Sequence, residues 1–162
     1  MISSEAAIAN LFRIAQTVNT PATPVKLISR RWRMYKDVTP DQLPSLFQFQ
    51  SPTRRFSGGV RPLLKQEYRI LWMLYLPMSQ TLNDVVSPAL NRYCDLLINA
   101  LLTTRVINNG AITPNGMPAG TVQDLGFPGK VQCYVDGDGL TDEGLLSTYS
   151  LLVLPITILT GI

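Results

Sequence analysis

A repeat of apolar residues every three to four positions opens the chain and predicts an amphipathic helix over residues 4–18. Such spacing places the apolar side chains along one face of a helix, where they can pack on a core. The members of this stripe are Ile8, Leu11, Phe12, Ala15 and Val18. A second helix is predicted to begin at Ser87 and Pro88, because serine caps helices and proline is favoured at the first helical position. Its stripe consists of Leu90, Tyr93, Leu97, Ala100 and Leu101.

Alternation of apolar and polar positions predicts strands between the two helices and after the second one. The clearest run covers residues 64–76, and its second face also turns apolar towards the end, which is typical of a central strand. The other predicted strands cover residues 25–36, 46–50, 130–135 and 145–160. Pro155 interrupts the last of these, and a proline within a strand is typical of an edge or a bulge.

The order of these elements, helix, three strands, helix and two strands, predicts an α+β fold. We expect two helices packed on a mostly antiparallel sheet of about five strands, within a single domain over residues 1–162. Two stretches, residues 51–62 and residues 106–128, are rich in loop-forming residues and are predicted to be long mobile loops.

The types of residue present give little support to catalysis. Histidine is absent from the 162 residues, which removes the commonest general base and the commonest zinc ligand. Cys94 and Cys133 form no CxxC pair, and we predict two buried, reduced thiols. The acidic run at residues 136–143 departs from the calcium-loop pattern, and residues 126–130 lack the full phosphate-loop pattern. We therefore expect neither an enzyme nor a bound cofactor or metal.

The apolar runs are too short to cross a membrane as helices. The longest, residues 151–158, contains Pro155 and falls well short of the roughly 18 residues that a span needs. The N-terminus has neither the basic segment nor the apolar core of a signal peptide. We therefore expect a protein that is made in a cytoplasm and has no membrane partner.

Charge is divided unequally between the two halves of the chain. Residues 1–69 carry eleven basic and four acidic side chains, whereas residues 70–162 carry three basic and seven acidic ones. A small domain with one cationic and one anionic surface can bind copies of itself head to tail, and such heterologous contacts can close into a ring. We therefore predict a subunit interface between a basic set and an acidic set. The basic set is Arg30, Arg31, Arg33, Arg54 and Arg55, and the acidic set is Asp136, Asp138, Asp142 and Glu143.

The basic stretch over residues 30–36 has two further interpretations beside a protein interface. Its arginines are interleaved with Trp32 and Tyr35, which also suits a nucleic-acid-binding module that contacts phosphates and stacks on bases. A solvated strand face would show the same pattern without binding anything.

Several strings along the chain carry a resemblance to a known protein family. They are Arg31-Trp32-Arg33, Asp37-Val38, Leu43-Pro44-Ser45-Leu46-Phe47, Leu76-Pro77, Leu96-Leu97, Ala100-Leu101, the run from Val131 to Gly137, Asp142-Glu143-Gly144, and the run from Leu154 to Ile158. Together with the initial helix and the order of elements, they cover most of the chain. On these features the chain resembles the tail terminator, or tail completion, family of small neck proteins of tailed bacteriophages.

This resemblance implies a structural protein of the virion rather than an enzyme. It implies an α+β subunit of a hexameric ring that caps the tail tube, stops its growth and joins the tail to the head connector. The implied partners are further copies of the chain and other neck, connector, tail tube or sheath proteins, and DNA would pass through the ring without specific recognition. The implied location is the neck or tail of the virion, after assembly in the host cytoplasm. A head–tail adaptor or connector protein is the alternative in the same setting.

Overall fold

The structure, a computed structural model, describes residues 4–57, 65–77, 87–109, 131–136, 138–146 and 149–160. Two helices and six strands lie in these ranges. In chain order they are α1 (Ser4–Ala15), β1 (Leu27–Ser29), β2 (Ser45–Ser57), β3 (Lys65–Pro77), α2 (Ser87–Asn109), β4 (Val131–Val135), β5 (Leu140–Leu146) and β6 (Tyr149–Thr160). Two single-turn 3-10 helices, Tyr35–Asp37 and Pro40–Gln42, lie between β1 and β2.

The six strands form one mostly antiparallel sheet. Its order is β1-β2-β3-β6-β4, and β5 also pairs with β6. β1 runs parallel to the start of β2, whereas the other pairings are antiparallel. β4 and β5 lie against successive parts of β6, residues 156–160 and residues 149–153. They therefore act as one edge strand with an interruption. The predicted α+β fold with a mostly antiparallel sheet of about five strands is confirmed.

Both helices pack on one face of this sheet and bury the main core. The central strand β3 presents every second side chain to the helices, as the pleat of a strand requires. The core-facing residues of β3 are Tyr68, Ile70, Trp72, Leu74 and Leu76. The helices meet them with Ile8, Leu11, Ile14, Leu90, Tyr93, Leu97 and Leu101. Both predicted stripes therefore face the core.

One buried polar bridge ties three elements of this core together. The indole Nε1 of Trp72 donates a hydrogen bond to Oε1 of Gln48 at 3.0 Å, and Nε2 of Gln48 donates to the carbonyl oxygen of Ile8 at 3.1 Å. A buried polar group is costly unless it is paired. The amide of Gln48 has a partner at each end, and it links β3 through β2 to α1.

On the opposite face, residues 33–43 cover one end of the sheet. The buried side chains of this second cluster are Val38, Leu43, Phe47, Tyr75 and Tyr149. Two tyrosine hydroxyls hold the covering segment by its backbone. Tyr75 donates to the carbonyl oxygen of Arg33 at 3.0 Å, and Tyr149 donates to that of Val38 at 2.5 Å.

The strand predicted over residues 25–36 is wrong for most of its length. Only Leu27–Ser29 pairs in the sheet, and the chain then leaves it. The hydroxyl of Ser29 accepts a hydrogen bond from the backbone N–H of Arg31 at 3.0 Å, which is a local alternative to strand pairing. The alternation of arginine with aromatic residues therefore does not mark two faces of a strand.

The strand predicted over residues 145–160 is two strands. β5 and β6 run antiparallel, with Leu146 opposite Tyr149, so the chain reverses where a single strand was predicted. Pro155 lies in β6, which is flanked by β3 and by the β4–β5 edge, so the edge interpretation is wrong. Its carbonyl oxygen accepts from the N–H of Asp136 at 3.0 Å, at the interruption between β4 and β5. A strand residue without an N–H is tolerated at such an irregularity.

The loop and helix boundaries also differ from the predictions. Residues 51–57 belong to β2, whose register shifts between Gln50 and Arg54, and such a bulge tolerates Pro52 within a strand. Residues 106–109 belong to α2. Residues 58–62 and 110–128 lie outside the described residues. α1 ends at Ala15, and the chain continues in turn hydrogen bonds up to residue 18.

The two thiols lead to a prediction about chemical labelling. Cys133 is buried, and this burial raises the pKa of its thiol. Cys94 is partly exposed, and burial together with the charge of Asp95 raises the pKa of its thiol. Because the thiolate is the reactive form, we expect slow labelling of Cys94 that accelerates with pH, and labelling of Cys133 only after unfolding. Time-resolved reaction with a thiol reagent and mass spectrometry checks both rates, and fast labelling of native Cys133 would contradict the burial.

Candidate assembly interface

The basic segment follows the edge strand β1 and then crosses the face opposite the helices, where Trp32 packs on Phe49 of β2 and the Arg33 carbonyl is bound by Tyr75 of β3. Residues 26–36 contain five basic side chains and no acidic one, and β1 is the terminal strand on this side. Arg31 is exposed and Arg33 is half-buried. Trp32, between them, remains 39% exposed while its ring packs edge-on against Phe49 with a centroid distance of 5.9 Å. The segment therefore presents cationic and aromatic surface together.

Arg30 differs from its neighbours because it forms an ion pair inside the subunit. Its Nη1 and Nη2 donate to Oε1 and Oε2 of Glu5 at 2.5 and 3.1 Å. This bidentate hydrogen bond lowers the pKa of the Glu5 carboxyl and raises that of the Arg30 guanidinium. The pair joins α1 to the end of β1, and the place of Arg30 in a subunit interface stays a prediction.

The Glu5–Arg30 pair predicts a small, pH-dependent contribution to stability. Because the pKa of Glu5 is lowered in the folded protein, the pair stabilises the fold above the ordinary glutamate pKa, and this gain is lost as pH falls through the folded pKa. We expect Glu5→Gln to cost less than about 1 kcal/mol at neutral pH, since both groups are partly exposed to water. Urea unfolding at neutral pH and at roughly pH 3, below the reference value, checks this. A difference that persists unchanged at low pH would contradict the assignment.

Arg54 and Arg55 lie on the same side of the molecule, at the far end of β2. They are paired in register with Tyr68 and Glu67 of β3, and the guanidinium of Arg54 lies 5.0 Å from the centre of the Tyr68 ring. A cleft of about 340 Å³ opens beside them. Its lining residues are Thr53, Arg54, Arg55, Phe56, Glu67 and Arg69. Side chains alternate along β2, so Arg54 shares the face of Tyr68, whereas Arg55 lies with Glu67 and Arg69 on the opposite face. Three arginines and one glutamate leave the cleft positively charged.

Arg69 is a member of this cleft that the sequence reasoning missed. It lies on β3 within the run of residues 64–76, and that run by itself does not show which residues of β2 lie beside it. The register that places it near Arg54 and Arg55 includes the bulge in β2. A bulge changes which residues are opposite each other, so periodicity alone could not have brought Arg69 to this cleft.

The acidic set lies at the opposite edge of the sheet. Residues 131–146 contain four acidic side chains and no basic one, and they form the interrupted β4–β5 edge. Asp136 is partly buried, and its Oδ2 accepts a hydrogen bond from Oγ1 of Thr157 at 3.0 Å. Asp138 is exposed and Asp142 is partly exposed. Glu143 lies on β5, but its side chain is outside the described part of the structure.

The sheet therefore holds the two predicted sets apart within one subunit. β3 and β6 separate β2 from the β4–β5 edge, and three spacings of about 4.8 Å put these strands roughly 14 Å apart. The structure brings Arg54 and Arg55 together and places Asp136, Asp138 and Asp142 along one edge. In the described part of the structure, Arg54 and Arg55 form no ion pair with Asp136 or Asp138.

No protein-family model matches the chain, and no curated protein matches it. Within the described ranges, no group of three or more cysteine, aspartate or glutamate residues is arranged to hold a metal ion. The helices of the described part include none that is long and apolar enough to span a membrane. We therefore infer a function from where the charged residues lie on the sheet.

Proposed function

We propose that this protein is a structural subunit of a tailed-phage virion, a tail terminator-like ring that caps the tail tube and joins it to the head connector. One observation carries the proposal: Arg54 and Arg55 on β2 and the acidic residues of the β4–β5 edge lie on opposite sides of β3 and β6. The resemblance of the sequence to tail terminator proteins supplies the biological setting.

Opposite edges of opposite charge favour a heterologous contact. When the basic edge of one copy meets the acidic edge of the next, each copy still has one unused edge of each sign. Addition therefore continues until the rotation between neighbours closes a ring, which we propose to be a hexamer. Like edges repel each other, so the same charges disfavour a two-fold contact in which identical edges meet. DNA passes through such a ring without being recognised by sequence.

Native mass spectrometry of the purified protein across a salt series tests this function. We expect a species near about 107 kDa, six times the 17.9 kDa chain, at low salt. Exposed charge contacts are screened by salt, so this species should decrease as salt rises. Negative-stain images of the same sample should show rings. A chain that stays monomeric at every salt and protein concentration would contradict self-assembly through charged edges.

The exposure of Trp32 favours a second candidate, a nucleic-acid-binding module. Trp32 lies between two arginines and is 39% exposed, which suits stacking of an unpaired base beside phosphate contacts. Salt-dependent binding of DNA of arbitrary sequence by a monomer, lost in Trp32→Ala, would favour this function over the ring. A head–tail adaptor in the same phage neck would self-assemble as well, and binding assays with isolated connector and tail tube distinguish it from a terminator.

A further inference from the structure

Two large apolar side chains stand out on the surface, one on each charged side of the sheet. Phe56 on β2 is 57% exposed and Leu140 on β5 is 54% exposed. A single exposed apolar residue is common on protein surfaces. These two differ in the net charge around them, which is positive beside Phe56, where three arginines and Glu67 line one cleft, and negative beside Leu140.

Phe56 lies in the cleft of about 340 Å³ at the end of β2. Arg54 and Arg55 precede it directly, and Arg69 completes the cationic lining. Stacking over the Tyr68 ring holds the guanidinium of Arg54, which limits the side-chain entropy that Arg54 would lose on binding a partner. Phe56 lies on the same face of β2 as Arg54, and Arg55 projects from the opposite face, so planar donors that match carboxylates in geometry are present on both faces of this strand end.

Leu140 begins β5, at the outer edge of the sheet. It pairs with Val153 of β6, and Asp142 follows two residues later opposite Leu151. Asp138, two residues before Leu140, is exposed. Residues two apart in a strand lie on the same face, so Leu140 and Asp142 share one face, and Asp138 adds a second carboxylate at the entry to the strand.

We propose that Phe56 of one copy packs against Leu140 of the next, while the guanidinium groups of Arg54 and Arg55 bind the carboxylates of Asp138 and Asp142. This inference rests on the proposed head-to-tail assembly and names the contact that makes it. The occupant of the arginine cleft is thus the acidic edge of a second copy of this chain.

The acidic edge of a second copy matches the arginine cleft in both charge and polarity. An apolar contact at the centre excludes water, and the surrounding ion pairs are stronger where water is excluded. A symmetric contact that paired Phe56 with Phe56 would place arginines against arginines. Within one subunit β3 and β6 lie between β2 and the β4–β5 edge, and among the described side chains Arg54 and Arg55 form no ion pair with Asp138.

Site-directed cross-linking of mixed variants tests the contact. Phe56→Cys and Leu140→Cys are prepared as separate full-length chains, mixed at low salt, and treated with a short bismaleimide. We expect covalent dimers in the mixture that contain one chain of each variant, and few in either variant alone. The chain with both substitutions should give a ladder of dimers, trimers and larger species, because a heterologous contact repeats.

Matched controls separate this contact from random collision. Met34 is also exposed on the basic side, at 42%, so Met34→Cys mixed with Leu140→Cys should cross-link far less. The wild-type chain reports any background from Cys94 and Cys133. Both controls use the same reagent, salt and protein concentration.

A charge-swap series tests the ion pairs of the same contact. Arg54→Glu with Arg55→Glu is expected to raise the dissociation constant for self-association at least about tenfold, as loss of central contacts commonly does. Adding Asp138→Arg and Asp142→Arg to the same chain should restore most of the association. A destabilised fold could not be rescued in this way, and circular dichroism of each variant confirms folding.

The outcomes distinguish this contact from the wider proposal. If the wild-type chain assembles but the mixed variants do not cross-link, the Phe56–Leu140 contact is overturned and ring assembly still stands. The same holds if Met34→Cys cross-links as strongly as Phe56→Cys. Absence of both assembly and cross-link overturns the contact and the proposed function together. DNA binding that requires Arg54 and Arg55 in a chain that does not self-associate would assign the cleft to phosphates and overturn the proposal.

Discussion

Replacing Arg31 and Arg33 by glutamate is expected to weaken self-association at least about tenfold, which corresponds to about 1.4 kcal/mol per contact. The two substitutions leave three bases and two new acids in residues 26–36, so the net charge of this segment falls from +5 to +1. The backbone of the segment is held by hydrogen bonds that the changes leave in place, including the Tyr75 hydroxyl on the Arg33 carbonyl. The fold should therefore persist while the edge loses its attraction for acidic partners.

Sedimentation velocity or native mass spectrometry at low salt measures this effect. The matched control is Arg13→Glu with Arg92→Glu, since both arginines are exposed on the helices and the change in net charge is identical. We expect the control to assemble nearly as the wild type does. Unchanged assembly of the Arg31 and Arg33 variant would contradict the role of this edge, and an equal loss in the control would show that only net charge matters.

Trp72→Ala is expected to destabilise the fold by about 3 to 5 kcal/mol, the usual cost of removing a large buried aromatic side chain. Trp72 is fully buried in the middle of the central strand. Its removal leaves a cavity under the helices, and it also takes the indole donor away from Gln48. With a total stability of roughly 5 to 15 kcal/mol, a loss of this size unfolds a substantial part of the protein near physiological temperature.

Urea unfolding followed by far-ultraviolet circular dichroism measures this loss, because the signal does not depend on the substituted tryptophan. Trp32→Ala is the matched control, since Trp32 is the other tryptophan and is partly exposed, and we expect it to cost less than about 1.5 kcal/mol. Gln48→Leu separates the polar bridge from packing. It leaves the Trp72 N–H and the Ile8 carbonyl without this partner and should cost about 1 to 3 kcal/mol. A Trp72→Ala variant as stable as the wild type would contradict the central place of this side chain.

Local periodicity correctly predicted the elements whose apolar residues recur at regular spacing on one buried face. The stripe of α1 and the alternation over residues 64–76 both appear in the structure nearly as predicted. These patterns are carried by residues close together in sequence, and burial on one face enforces them at every turn or second residue.

Long-range contacts explain the elements that the sequence reasoning missed. Residues 30–34 lie in a predicted strand, yet the Arg33 carbonyl accepts a hydrogen bond from the Tyr75 hydroxyl, 42 residues away. No strand is predicted over residues 140–144, yet β5 covers them and pairs with β6 at the edge of the sheet. In both cases the competing partner lies elsewhere in the chain, so no local pattern reports it.

The sequence by itself determined that the protein has two amphipathic helices, a central apolar strand and halves of opposite charge. These properties depend on composition and short spacings alone. The tertiary structure decided where the charges lie, because β6 inserts between β3 and the β4–β5 edge and so sends the acidic segment to the side opposite β1. It also decided that the net charge is positive beside Phe56 and negative beside Leu140. The order of strands in a sheet depends on which faces can be buried together. For this reason a charge difference between the two halves of the chain becomes a charge difference between two sides of the sheet.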